Sequence, residues 1–151
     1  MTTITFDTIY KLQRLQLYRG SLKNRIEKKM VDSRYPAQSL YDYAFHVLKG
    51  PFPLGEPAIA TNAQYAYAYV FHVLKGPFPL GEPAIARDVQ YAYFYAKYIL
   101  HAPFPMGERT IAESSHLSFE YAHYVLNDSD PETWQKRYLA EHPYILYKPA
   151  K

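Results

Sequence analysis

The stretch FHVLKGPFPLGEPAIA at Phe45–Ala60 returns without a change at Phe71–Ala86. Its parts read in order as a helix end, a turn and a second, short helix. Lys49-Gly50 and Lys75-Gly76 mark a helix stop, where a left-handed glycine would close the last carbonyls. Pro-Phe-Pro forces extended backbone, because proline restricts its own φ and the residue before it. Gly-Glu-Pro-Ala-Ile-Ala then opens the short helix, with proline expected at its first position. The pattern recurs every 26 residues: Gly-Pro-Phe-Pro at 50–53 and 76–79, then Ala-Pro-Phe-Pro at 102–105. Gly55, Gly81 and Gly107 keep the period, as do Glu56, Glu82 and Glu108, and Ile59, Ile85 and Ile111. A weaker fourth copy ends at Tyr124-Val125-Leu126. A fixed spacing in this range signals stacked repeats.

Upstream of each stop lies a longer helical segment. Asn62, Asp88 and Ser114 stand at equivalent positions and are all good N-caps. Pro36 takes that place in the first copy. At about 100° per residue, Leu40, Tyr41, Tyr43, Ala44, Val47 and Leu48 share one stripe, which is assigned to the core. The equivalent stripe runs through Tyr67, Tyr69, Val70, Val73 and Leu74, through Tyr93, Tyr95, Ala96, Ile99 and Leu100, and through Phe119, Tyr121, Ala122, Val125 and Leu126. The Tyr-Ala-Tyr-Ala-Tyr run at 65–69 alternates as a strand would, but segment length and caps decide for helix. Phe52, Phe78 and Phe104 are expected to plug the seams between copies. The expected fold is all-α. It is an α-solenoid of about three to four repeats over 36–128, with a basic helical cap over 1–35 and a capping helix and tail over 129–151. The cap is read as helices over 7–19 and 22–31, and the whole as a single folded domain.

The repeat unit resembles short tandem repeats in small accessory proteins of tailed bacteriophages, built from Tyr/Ala-rich helical units of this length. The likeness covers about 40–128 and is clearest at 88–108. It implies an origin: a phage-encoded protein acting in the cytoplasm of an infected bacterium. It implies no activity.

Composition narrows the chemistry. Apolar residues make up 48% of the 151 and aromatics 17%, which excludes a disordered chain. The absence of cysteine excludes disulfides, thiolate metal sites and cysteine nucleophiles. Residues 57–74 are uncharged and long enough to span a bilayer, but Pro57, Thr61, Asn62, Gln64 and several tyrosines argue against a span. No signal-peptide pattern opens the chain. Residues 1–35 hold eight Lys/Arg against three acidic residues, so the net charge of +3 belongs to that segment. Within it, Lys23, Arg25, Lys28 and Lys29 form a basic patch able to contact nucleic acid; a solvated helix face explains it equally well.

No motif carries catalysis. His46 and His72 are one repeat apart, too far to share a metal whose ligands lie at about 2 Å. Glu56, Glu82 and Glu108 read as charges placed at short-helix starts. The glycines form no phosphate loop, and the departures from the period show no cluster. No catalytic residue, metal or cofactor is expected. What remains is an aromatic row outside the core stripe, from which Tyr65, His72, Tyr91, Phe94, Tyr98 and Tyr124 are the candidate partner-binding residues. The expected function is non-enzymatic: occlusion of a host protein, as an inhibitor of a bacterial anti-phage defence or toxin system. The alternatives are a sponge for a nucleotide signal, an RNA-binding helical repeat and a structural virion component. A second copy of the chain is the competing cover for the aromatic face. No membrane partner is expected.

Overall fold

The structure, a computed structural model, describes residues 21–143. Every regular element among them is helical. The helix expected over 7–19 lies outside the described residues, as does the tail after Pro143. The helices are α1 (Ser21–Asp32), α2 (Ala37–Asp42), α3 (Glu56–Ile59), α4 (Ala63–Tyr69), α5 (Glu82–Ile85), α6 (Val89–Tyr95), α7 (Pro105–Ile111), α8 (Ser115–Tyr124) and α9 (Pro131–Glu141). Three of them run on into wider π-helical turns: α2 through Tyr43–Leu48, α4 through Val70–Leu74 and α6 through Ala96–Leu100. The chain forms two compact units, Met1–Gly81 and Glu82–Lys151.

The helix starts follow the local chemistry. Asn62 accepts the Tyr65 N–H at 3.1 Å, Asp88 accepts those of Gln90 and Tyr91 at 3.0 Å, and Ser114 accepts that of Leu117 at 3.3 Å. Each satisfies amides that the first turn leaves open. Pro36 makes no side-chain cap.

The helix stops differ from expectation. The left-handed residue is not Gly50 or Gly76 but its predecessor: Lys49 (φ 54°), Lys75 (φ 57°) and His101 (φ 50°), with Asn127 (φ 52°) ending the fourth copy. In the first three copies the following proline drives Gly50, Gly76 and Ala102 toward extended backbone, which excludes the left-handed turn there. The fourth copy makes the same turn at Asn127, a residue that tolerates it, with Ser129 where the others have proline. The wide turn then closes with Gly50 and Ala102 N–H groups bonded to Ala44 and Ala96 carbonyls, at 3.2 and 3.4 Å. The short helices also start earlier than expected. Glu56 is the first residue of α3, and Pro57 follows it. With Arg109 in place of that proline, α7 gains a donor and extends to seven residues.

A second glycine column is fixed by packing. A Cβ on Gly81 would stand 2.5 Å from the Phe78 ring and 3.0 Å from the Ala66 Cβ, whereas one on Gly76 meets nothing within 4 Å. Gly81→Ala is therefore expected to cost about 1–3 kcal/mol through overpacking. Gly76→Ala should stay within about 0.5 kcal/mol, as Ala102 in the third copy anticipates. Urea midpoints of the two variants check this.

The core is built from one recurring lock. In the first unit, Phe52 is buried with its ring 5.1 Å from that of Tyr43, edge to face, and its N–H bonds the Tyr69 Oη at 2.7 Å. Tyr69 Oη in turn donates to Glu56 Oε1 at 2.8 Å. In the second unit Phe104 lies 5.1 Å from the Tyr95 ring and donates to Tyr121 Oη at 2.8 Å, which donates to Glu108. Tyr95 donates to Glu82 at 2.8 Å. The phenylalanines thus plug the seams as expected, and the glutamates do more than complement helix ends. The terminal helices supply the missing partners. In the first unit, α1 places buried Glu27 against Tyr43 Oη at 3.2 Å. In the second, α9 places Trp134 5.3 Å from the Tyr121 ring, where the inner copies have phenylalanine. Gln135 ties α9 down by donating to the Ala112 carbonyl at 2.7 Å.

Burial holds the Tyr69 and Tyr121 hydroxyls well above their ordinary pKa of 10.0, and the glutamates beside them push the same way. A raised tyrosine pKa contributes stability that is complete below the unfolded value and lost as pH rises beyond it. The contribution of these two tyrosines should therefore be constant up to about pH 10 and be lost above it. Tyrosinate absorbance from these two residues should appear only with unfolding, which a pH titration followed by absorbance and circular dichroism tests.

The core stripe lies closer to the helix starts than expected. Leu40 is buried as expected, and so are its equivalents Ala66, Ala92 and Ser118, while Val47, Leu48, Val73 and Leu74 are only half-buried, and Phe119 is exposed. The same pattern holds on α8, which has no π turn, so it follows from which side chains fit: small Ala66, Ala92 and Ser118 let the helices approach closely, and the bulkier Phe119 is left outside.

Candidate functional site

The candidate residues form two local groups. In the first unit Tyr65 is half-buried, its ring 6.1 Å from Tyr41. His72 is exposed, with Phe45 at 5.3 Å and Phe71 at 5.0 Å. Phe45 stacks on Tyr41 at 5.8 Å. The row is thus partly packed on itself, and its outer edge includes Phe45 and Phe71, which the sequence reading did not single out. On α1, Arg25, Lys28 and Lys29 are exposed, while Lys23 reaches Glu27 at 3.6 Å. The basic patch is therefore three open cations and one paired.

The second unit holds an open groove of about 570 Å³ between α6 and α8. Phe94 and Tyr98 form one wall, their rings 5.8 Å apart, one turn from each other. Leu117 and Glu120 line the side formed by α8. Tyr91 is half-buried and is not among the lining residues.

A polar network crosses the groove. Lys97 Nζ donates to Tyr93 Oη at 2.7 Å, and Tyr93 Oη donates to Glu120 Oε2 at 3.1 Å. The ammonium is 3.9 Å from that same oxygen. It also sits 4.0 Å over the Tyr124 ring and 5.5 Å from that of Tyr98. Hydrogen bonding to Tyr93, more than any other cause, holds the lysine pKa above its usual value, so Lys97 stays charged. Burial raises the Tyr93 pKa, with Lys97 opposing and Glu120 assisting. Lys97 thus joins Tyr98 and Tyr124 into one constellation.

Lys97, Glu120 and Tyr93 were absent from the expected partner-binding set. One signal was available. Lys97 stands where the first two copies have Phe45 and Phe71, Phe94 where they have Asp42 and Ala68, and Tyr98 where they have His46 and His72. Contrary to the sequence reading, the departures from the period do cluster, because neighbouring helices bring together positions about one repeat apart. Among the described residues no group of three or more His, Asp or Glu side chains is placed to hold a metal ion. No helix there is long and apolar enough to cross a membrane. Compared with protein-family models, curated proteins and solved structures, the chain matches none.

Proposed function

We propose that the chain is a non-enzymatic binding module, an α-solenoid of tandem repeats that presents aromatic side chains from its long helices to a protein partner. The observation that supports it most is the exposure of large rings. Phe45 (38%) and Phe71 (43%) stand out in the first unit, and Tyr98 (46%), Phe119 (38%) and Tyr124 (53%) in the second. Scattered apolar residues are ordinary on a surface, but contiguous aromatic ones mark contact sites, and tyrosine concentrates binding energy. The likeness to phage repeat proteins supplies the setting: the cytoplasm of an infected bacterium, where the partner is a host protein and the effect is occlusion of a defence or toxin component. Arg25, Lys28 and Lys29 would steer the approach of an acidic surface.

Affinity capture from a bacterial lysate tests this reading. Wild-type chain should recover a specific partner, and the Tyr91→Ala/Phe94→Ala/Tyr98→Ala variant should lose it. Failure of both to recover one, or equal recovery by both, overturns it. Size-exclusion chromatography of the same pair separates a host partner from a second copy of the chain.

A further inference from the structure

The outward face of α1 has a chemistry that the aromatic reading does not use. Arg25, Lys28 and Lys29 are exposed there. Their spacing of three and four residues sets them side by side on one helix face, about 5–6 Å apart at Cβ. None of the three makes an ion pair among the described residues. Lys23 differs. It lies 3.6 Å from Glu27, which is buried and accepts the Tyr43 hydroxyl at 3.2 Å. The carboxylate at the middle of the helix is therefore compensated on its inner side. Asp32 is the one exposed carboxylate of α1, and Arg34, also exposed, follows the helix end. Several cations elsewhere are engaged by the fold: Lys75 donates to the Phe71 carbonyl, Lys97 to Tyr93 and Arg137 to Asp128.

Three kinds of anionic surface could meet such a face: a lipid headgroup layer, an acidic protein and a nucleic acid. Lipid takes an amphipathic helix by its apolar side. That side of α1 is already spent, with Met30 fully buried and Glu27 turned to Tyr43. A protein partner draws its energy from aromatic and large apolar anchors, and lysine is depleted from interface centres. No large apolar side chain is exposed among the described residues of α1. A nucleic-acid backbone needs neither device. Cations alone hold it, through release of the counterions condensed on the strand. We propose that the Arg25–Lys28–Lys29 face of α1 is a contact for the phosphate backbone of nucleic acid, made without regard to sequence. This face is separate from the aromatic one, and the proposal does not depend on a protein partner.

The test is fluorescence anisotropy of a labelled DNA duplex of about 20 base pairs, and of one of its strands, titrated with the full chain at about 50 and 200 mM salt. Three phosphate contacts give a slope of log K against log salt of about −2.7 on the duplex, so affinity should fall about fortyfold or more between the two conditions. A second duplex of unrelated sequence should bind equally. The Arg25→Gln/Lys28→Gln/Lys29→Gln variant changes only exposed, unpaired side chains and is expected to fold, with an unchanged circular dichroism spectrum. It should bind the duplex about tenfold or more weaker at the lower salt and flatten the slope by about 2.7, close to one for each lost contact. Lys136→Gln, which removes an exposed cation of α9, should change neither. Binding of either probe supports the proposal, and the tighter one names the preferred form. Absence of binding at the lower salt, or a triple variant with wild-type affinity and slope, would overturn it. So would equal competition by polyglutamate, which names an acidic protein, or tighter capture by phosphatidylglycerol vesicles, which names a lipid surface.

Discussion

Tyr121→Ala is expected to lower stability by about 3–5 kcal/mol, the range for emptying a buried aromatic site. The residue is fully buried and joins three elements. Its ring meets Trp134 of α9, and its hydroxyl accepts the Phe104 N–H and donates to Glu108 of α7. Tyr121→Phe separates the two contributions. It keeps the ring but strands a buried amide, which costs about 1–3 kcal/mol. If the hydroxyl acts as a shared lock, adding Glu108→Gln to Tyr121→Phe should cost less than the sum of the single changes, because both act on one network. Urea midpoints of the four chains decide. Additive losses, or a Tyr121→Phe variant as stable as wild type, would show that the ring alone matters.

Trp134→Ala is expected to cost a similar amount, about 3–5 kcal/mol, although it lies outside the repeats. Inner copies close their tyrosine with a phenylalanine from the following turn: Phe52 on Tyr43, Phe78 on Tyr69 and Phe104 on Tyr95. The fourth tyrosine has no such turn and receives Trp134 from α9 instead. Trp134→Phe should then retain most of the stability, within about 1.5 kcal/mol. A phenylalanine variant as unstable as the alanine one would show that tryptophan fills some other need.

These two residues also mark where sequence reading stopped. Caps at Asn62, Asp88 and Ser114, the buried phenylalanines and the helical state of 65–69 were legible because they depend on a few adjacent residues. The left-handed residue was misplaced by one because two local rules compete, and the rule for residues before proline prevails over the preference for glycine. The core face was misjudged because the stripe was drawn through large apolar side chains, while small residues such as Ala66, Ala92 and Ser118 occupy the buried face. The tyrosine–glutamate lock joins residues 13 apart on different helices. Its only trace in the sequence was that both columns keep the same period.

The groove was hidden for the same reason on a longer scale. Tyr93 and Glu120 are 27 residues apart, and Lys97 looks like a single charge on an aromatic helix. Only when α6 and α8 pack does Lys97 find Tyr93, Glu120 and Tyr124 around it. Most of the duplicated Phe45–Ala60 segment is scaffold, although its first residues, Phe45 and His46 with Phe71 and His72 in the second copy, belong to the proposed aromatic face; the choice of partner is proposed to lie where the copies have diverged.

The most direct test of that assignment is to make the third copy like the second. Phe94→Ala, Lys97→Phe and Tyr98→His together install Ala68, Phe71 and His72 at their equivalents. The triple variant and wild type would be compared by affinity capture from bacterial lysate, with urea unfolding as the control. The predicted result is loss of the captured partner with stability within about 1 kcal/mol of wild type. Recovery of the same partner by the reverted chain would contradict the claim that the divergent residues carry the function.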